Sequence, residues 1–248
     1  VRIFALIKQL RFAAAYAKRM RAGRRAVLKH LAAPQREPVP LPTFVQLRVT
    51  NLCNLRCKMC GQWGDTGIFR EKAGAEATDG GAEQQRIREL IGLRRQMSLA
   101  DYVRLLDEIA PHQPVISLFG GEPFLYPEIM PLVREIKGRG LTLTIITNGW
   151  FLERYARELV EAGVDTIAVS IDGPPELHDK IRGRESSFSR VAAGVRAVAE
   201  WRQRLGRGLP VQMAILPLTE LNASAMESAV AALQELPLEL VNVGLRWF

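Results

Sequence analysis

The sequence predicts an α/β fold: a parallel sheet assembled from βα units and preceded by a basic helical extension. Three observations carry that prediction. From Phe44 onward, short runs rich in β-branched residues alternate with segments of helical period, and six such units can be counted. The chain has 248 residues, 48% of them hydrophobic, enough to bury the core of one large α/β domain or two small ones. The charge, finally, sits at one end. Of a net charge of +8, residues 1–33 hold nine basic side chains and no acidic one, leaving 25 basic against 26 acidic residues in the remainder. A near-neutral body argues against a phosphate-binding groove, so nucleic acid is the less favoured partner.

The extension, residues 1–33, reads as an amphipathic helix in which Ile3, Phe4, Ile7, Leu10 and Ala14 recur at helical spacing between Lys8, Arg11 and Lys18. Such a helix suits an anionic membrane surface or an acidic partner. It equally suits a first helix that packs on the main domain and keeps its charges in water. Its apolar run is too broken for a cleaved secretory signal, and no small-residue cleavage site follows. No uncharged apolar run reaches the roughly 18 residues that a membrane span requires. Pro34, Pro38, Pro40 and Pro42 make residues 34–42 a stiff linker, which places the main domain at 43–248.

Strands are predicted at 44–50, 115–119, 141–147, 164–171, 210–216 and 240–247, and helices at 98–110, 127–137, 151–162, 188–205 and 222–235. Ser98 and Asp101 form a capping pair for the first of these helices, which buries Leu99, Val103, Leu106 and Ile109 on one face. The second is expected to stop before Gly138 and the third before Gly163. Pro131 belongs in a first turn, so the second helix starts later than Pro127. Residues 62–97 break the rhythm, being rich in Gly, Ala and charge with only 87–96 helical in pattern. A loop this long is either functional, here as a cover for a site, or a spacer. The last strand runs out at Trp247-Phe248 with no helix after it, the ending expected of a core truncated at its C terminus. Six βα units make either a partial barrel or an open doubly wound sheet. In both, ligands gather at the carboxyl ends of the strands.

All three cysteines fall in one such place, Cys53, Cys57 and Cys60 in Cys-Asn-Leu-Arg-Cys-Lys-Met-Cys after the first strand. A C-x3-C-x2-C loop can ligate three irons of a [4Fe–4S] cube and leaves the fourth without a cysteine. A zinc site would need a histidine, and His30, His112 and His178 are all remote in sequence. Buried free thiols fit poorly in a loop with Asn54, Arg56 and Lys58. A disulfide framework fits worse, because the count is odd. Few cysteines and an oxygen-labile centre point to a reducing, cytoplasmic setting, with membrane association through the N-terminal helix as a variant of it.

This spacing resembles the signature of the radical S-adenosylmethionine (SAM) superfamily, and four further stretches after it resemble the family's in turn. Gly120-Gly121-Glu122-Pro123, after the second strand, looks like the GGEP motif that holds the SAM amino group. Thr147-Asn148-Gly149 and Ser170-Ile171-Asp172-Gly173 resemble the stretches after the next two strands, where Asn148, Ser170 and Asp172 would help to place SAM, the oxygens of Ser170 and Asp172 reaching its carboxylate or ribose. His178-Asp179-Lys180-Ile181-Arg182-Gly183 resembles the HD-x-x-RG segment of members that carry C-terminal, cysteine-rich SPASM-type domains with auxiliary clusters. There Arg182 would meet the SAM carboxylate or a substrate anion, or anchor a loop. Met59 departs from the pattern, since the residue before the third cysteine is commonly aromatic and lies near the adenine; its polarisable sulfur can still pack on a ring.

The resemblance implies a partial (β/α)6 TIM-like barrel in which Cys53, Cys57 and Cys60 ligate a [4Fe–4S] cluster and the open iron chelates SAM. It implies reductive cleavage of SAM to a 5′-deoxyadenosyl radical, with electrons from a flavodoxin or ferredoxin. The HD-x-x-RG segment favours a peptide, a protein or a peptide-derived cofactor precursor as substrate. The alternatives are an RNA-modifying enzyme of the same class and a non-catalytic protein that binds an Fe–S cluster and SAM.

Overall fold

In the computed structural model, residues 2–36, 39–64, 67 and 96–245 are described. The elements run α1 (Arg2–Ala32), β1 (Phe44–Thr50), α2 (Leu99–Ile109), β2 (Val115–Gly120), α3 (Ile129–Gly138), β3 (Thr142–Thr147) and α4 (Leu152–Ala162). They continue with β4 (Thr166–Ser170), α5 (Pro175–Arg182), α6 (Ser187–Arg204), β5 (Val211–Leu218), α7 (Met226–Gln234) and β6 (Leu240–Leu245). The six strands pair in sequence order, every pair parallel.

Register shows how the sheet divides its two faces. Leu47 lies beside Leu118, Leu118 beside Ile145 and Ile145 beside Ile167, a row that is buried throughout under the helices. One residue earlier on each strand, Gln46, Ser117, Thr144 and Thr166 form a polar row on the opposite face, as a period of two requires. Side chains of that second face, from five successive strands, line a single cavity, so the sheet must curl around it. Among the described residues β6 does not pair back to β1, and the architecture is an open, partial barrel.

The helices answer the caps and glycines with two corrections. Ser98 and Asp101 form a reciprocal capping box on α2, and α4 stops at Gly163, which takes the left-handed conformation. Helix α3, however, runs through Gly138 and ends one residue later than expected; the left-handed residue is Gly140. Helix α5 was not predicted at all. Pro174 and Pro175 look like breakers, yet Pro175 occupies the first helical position, where its missing N–H costs nothing. Most of the long segment after the cysteines, residues 65–66 and 68–95, and with it the helical pattern at 87–96 up to residue 95, lies outside the described residues.

Helix α1 is continuous over 31 residues. The side chains of its first eleven residues, which include Ile3, Phe4, Ile7 and Leu10, lie outside the described ones. Farther along, the helix leans on the foot of the barrel. Gly23 is buried so close to Thr43 that a Cβ would stand 2.2 Å from the threonine methyl, and Arg19 donates to Thr142 Oγ1 at the start of β3, 3.2 Å away. These contacts favour the packed arrangement over the membrane-bound one. No helix among the described residues is long and apolar enough to cross a membrane.

Candidate active site at the carboxyl ends of the strands

A cavity of about 480 Å³ opens at the carboxyl ends of β1 to β5. Cys53, Cys57 and Cys60 all line it, together with Met59, Gly120, Gly121, Asn148, Ser170 and Arg182. Cys57 is buried and the other two are half-buried, and none is in a disulfide. Backbone N–H groups already point at the sulfurs: Leu55 N–H donates to Cys53 Sγ (3.5 Å), and the N–H groups of Gln62 and Trp63 both donate to Cys60 Sγ (3.4 Å). Asn148 Nδ2 reaches Cys53 Sγ at 3.9 Å, and Arg182 Nη1 reaches Cys57 Sγ at 3.7 Å. Burial pushes the Cys53 thiol up to about 12 and raises Cys57 as well, against the pull of Arg182. Thiols so desolvated ionise for a bound cation rather than for solution chemistry.

Two neighbouring segments hold the cysteine loop in place by main-chain bonds. On one side, Gly121 N–H donates to Thr50 O and Glu122 N–H to Leu52 O, both at 2.8 Å. The glycine pair makes this approach possible, for a Cβ at Gly120 would lie 2.3 Å from Thr50 O and one at Gly121 2.2 Å from Leu52 O. The room was expected to admit a ligand, and part of it admits the neighbouring backbone. On the other side, Lys58 N–H donates to Ile181 O (2.8 Å) and Arg56 N–H to Arg182 O (3.3 Å). The cysteine loop thereby satisfies carbonyls that the end of α5 would otherwise leave open.

The HD-x-x-RG segment resolves into separate structural roles. His178 Nδ1 accepts from Asp172 N–H at 3.1 Å, and its ring meets Phe188 edge-on at 5.8 Å. The Asp179 carboxylate accepts from Ser186 N–H and Phe188 N–H, at the start of α6. Arg182 pairs with Asp172: Nη2 donates to Oδ1 at 2.9 Å, and Nε lies 2.5 Å from Oδ2 in an ion-pair contact that is not aligned as a hydrogen bond. Burial alone would lower the Arg182 pKa, but Asp172 and Cys57 outweigh it and hold the guanidinium above its ordinary value.

Glu122, Pro123 and Asp172 do not line the cavity. The Glu122 carboxylate, fully buried, accepts from Thr147 Oγ1 (2.8 Å), Asn148 N–H (2.8 Å) and Phe124 N–H (3.2 Å), which ties the end of β2 to the end of β3. Burial pushes its pKa up to about 7. Pro123, next in the chain, is buried as well, and Asp172 faces Arg182. These three shape the wall rather than the chamber.

The sequence reading missed the chamber's floor. Gln46, Arg48 and Phe119 project from β1 and β2 into the cavity, and Ile215 and Pro217 from β5. The strict alternation of β1, with Leu47 and Val49 buried on the other face, was the available signal. Asn222 was missed too: wholly buried after β5, it donates from Nδ2 to Asp172 O and Pro217 O, both 2.8 Å away. Among the described residues no acidic side chain lines the cavity.

The donor set fits an iron–sulfur cube. Among the described residues no three His, Cys, Asp or Glu side chains converge closely enough to hold a single metal ion. Thiols that share a cavity without sharing a point suit a polynuclear centre, in which each thiolate takes its own iron, better than one tetrahedral zinc.

A parallel partial barrel with three thiols at the mouth of a ligand-sized chamber defines a cluster-binding α/β barrel. Comparison with known proteins gives the family: residues 47–210 match the radical SAM superfamily, and the chain belongs to it. The family's cofactors are a [4Fe–4S] cluster and SAM. The chain is 28% identical over 171 residues to a tungsten-containing aldehyde ferredoxin oxidoreductase cofactor-modifying protein of Pyrococcus furiosus, covering 67% of this chain and 41% of that one. It is 29% identical over 158 residues to an AdoMet-dependent heme synthase of Oleidesulfovibrio alaskensis, covering 63% and 35%. Among solved structures, Streptococcus suis SuiB bound to S-adenosylmethionine superposes with a TM-score of 0.62 at 16% identity, over 90% of this chain and 45% of that one. The chain thus spans less than half the length of these relatives.

Proposed function

We propose that this chain is the cluster- and SAM-binding core of a radical SAM enzyme that modifies a peptide, a protein or a peptide-derived cofactor precursor. The observation that carries the reading is the set of three thiols around a chamber at the carboxyl ends of a parallel barrel, Cys53 and Cys60 met by backbone N–H groups and Cys57 by the Arg182 guanidinium. Cys53, Cys57 and Cys60 would hold the cluster, and a fourth iron, given no cysteine, would be open to SAM. When bound, the cluster supplies the electron that cleaves SAM to a 5′-deoxyadenosyl radical. The chain's own residues bind and orient. Gly120 and Gly121 bring backbone to the cavity surface, where carbonyls can accept from an ammonium group. Ser170 and Asn148 offer polar contacts at the ends of β4 and β3, and Met59 with Ile146 and Ile215 offers apolar surface to a ring.

A peptide-type substrate is supported by fold neighbours: SuiB is known bound to its precursor peptide SuiA, and anSMEcpe bound to AdoMet and a peptide. A small-molecule cofactor precursor is the second reading, because the cofactor-modifying protein and the heme synthase share more sequence with this chain than either neighbour does. The RNA alternative rests on the basic extension alone. Anaerobically reconstituted protein, given SAM and a reductant, is expected to release 5′-deoxyadenosine, and Cys57→Ala to release none. Undiminished cleavage by Cys57→Ala removes the mechanism. Hydrogen–deuterium exchange between labelled candidate substrates and the released 5′-deoxyadenosine distinguishes the two substrate classes.

A further inference from the structure

Resting on the reading that Cys57 binds one iron of the cluster, we infer that the buried Asp172–Arg182 pair sets the cluster's reduction potential through the Cys57 sulfur. Arg182 would act by withdrawing charge from that sulfur, and Asp172 by holding Arg182 and offsetting part of its charge. Both are positioning residues.

The geometry is over-determined. Asp172 is wholly buried, and the Arg182 side chain is 9% exposed. Nε and Nη2 of the guanidinium face Asp172, which leaves Nη1 to meet Cys57 Sγ at 3.7 Å. Asp172 is fixed in turn through its own backbone, its N–H given to His178 Nδ1 and its carbonyl receiving Asn222 Nδ2. The carbonyl of Arg182 is bonded to Arg56 N–H in the cysteine loop itself. An anionic ligand entering the cavity therefore meets a guanidinium already ion-paired with a carboxylate. The same guanidinium delivers the N–H of its other terminal nitrogen, Nη1, to a sulfur.

The physical consequence follows from the sign of the charges. Reduction would add an electron to a cluster held beside the desolvated sulfurs of Cys53 and Cys57. A neighbouring cation and an N–H···S bond stabilise the added charge and raise the potential; a neighbouring carboxylate does the reverse. The pair places one of each beside the same ligand.

The test is a dye-mediated redox titration of the reconstituted full chain without SAM, following the reduced cluster by electron paramagnetic resonance. Asp172→Asn removes the negative charge at nearly constant shape and should move the midpoint above the wild-type value. Arg182→Met removes the cation and the N–H···S bond and should move it below. Arg182→Lys keeps the charge without the guanidinium and should fall between Arg182→Met and wild type. A merely structural pair predicts lower cluster loading or stability in all three, with no opposed movement. Should Arg182→Met fail to take up iron, Asp172→Asn above and Arg182→Lys below the wild type still decide the matter. Loaded variants whose midpoints match wild type, or shift in one common direction, overturn the inference while the cluster assignment stands. Wild-type protein that assembles no [4Fe–4S] cluster overturns both.

Discussion

Acid should loosen this fold through His178. The imidazole is wholly buried, and its Nδ1 is committed as an acceptor to Asp172 N–H. A proton on that nitrogen would confront another donor and lie near the Arg182 cation. Burial first, and Arg182 second, lower the His178 pKa from 6.5 to about 3. Because the folded value is depressed, the stability His178 contributes is complete above about pH 6.5 and is lost as the pH falls toward 3. At about 1.4 kcal/mol per unit, moving from pH 7.5 to 5.0 should remove about 2 kcal/mol. His178→Asn isolates the effect, since an amide oxygen can stand where Nδ1 stands but does not titrate. Its emptied ring volume costs about 2 kcal/mol, and that cost is independent of pH. Urea unfolding of both proteins at pH 7.5, 6.5, 5.5 and 5.0 should show the wild-type advantage shrinking by about 2 kcal/mol across the series. A constant difference would refute the reasoning, because every other group titrates alike in the two proteins.

Two further substitutions test how the site is supported. Gly121→Ala drives a methyl against Leu52 O, so it should cost about 3 kcal/mol and lower the iron bound per chain on reconstitution, read by thermal melts and iron assay. Wild-type iron uptake by that variant would mean that the cysteine loop does not depend on its contact with the glycine pair. Asn222→Ala leaves two buried carbonyls without their donor and should cost about 3 kcal/mol in chemical denaturation, whereas a cost below about 1 kcal/mol would mean that other groups replace it.

The parallel sheet was legible because its strands are dense in Val, Ile, Leu and Thr between recognisable turns. The ends of α2 and α4 were legible because Ser98, Asp101 and Gly163 act locally. What escaped depends on contacts distant in sequence. His178, Ile181 and Arg182 sit at helical spacing on the buried side of α5, but the prolines before them masked the period. Glu122 and Asp172 carry the charge expected of ligand contacts, yet each is turned toward a partner that no spacing rule reveals, Asn148 N–H for one and Arg182 for the other. Motif reading found the right strand ends. It could not tell which side chains would face inward.

The bonds from Arg56 and Lys58 to the last carbonyls of α5 join main chain to main chain. No exchange of side chains at Arg56, Lys58 or Ile181, short of introducing proline, deletes them, so the two bonds depend on the spacing between the strips and not on what those three side chains are. Transplanting the cysteine motif into a foreign barrel would consequently succeed only if the short helix beyond the fourth strand travelled with it.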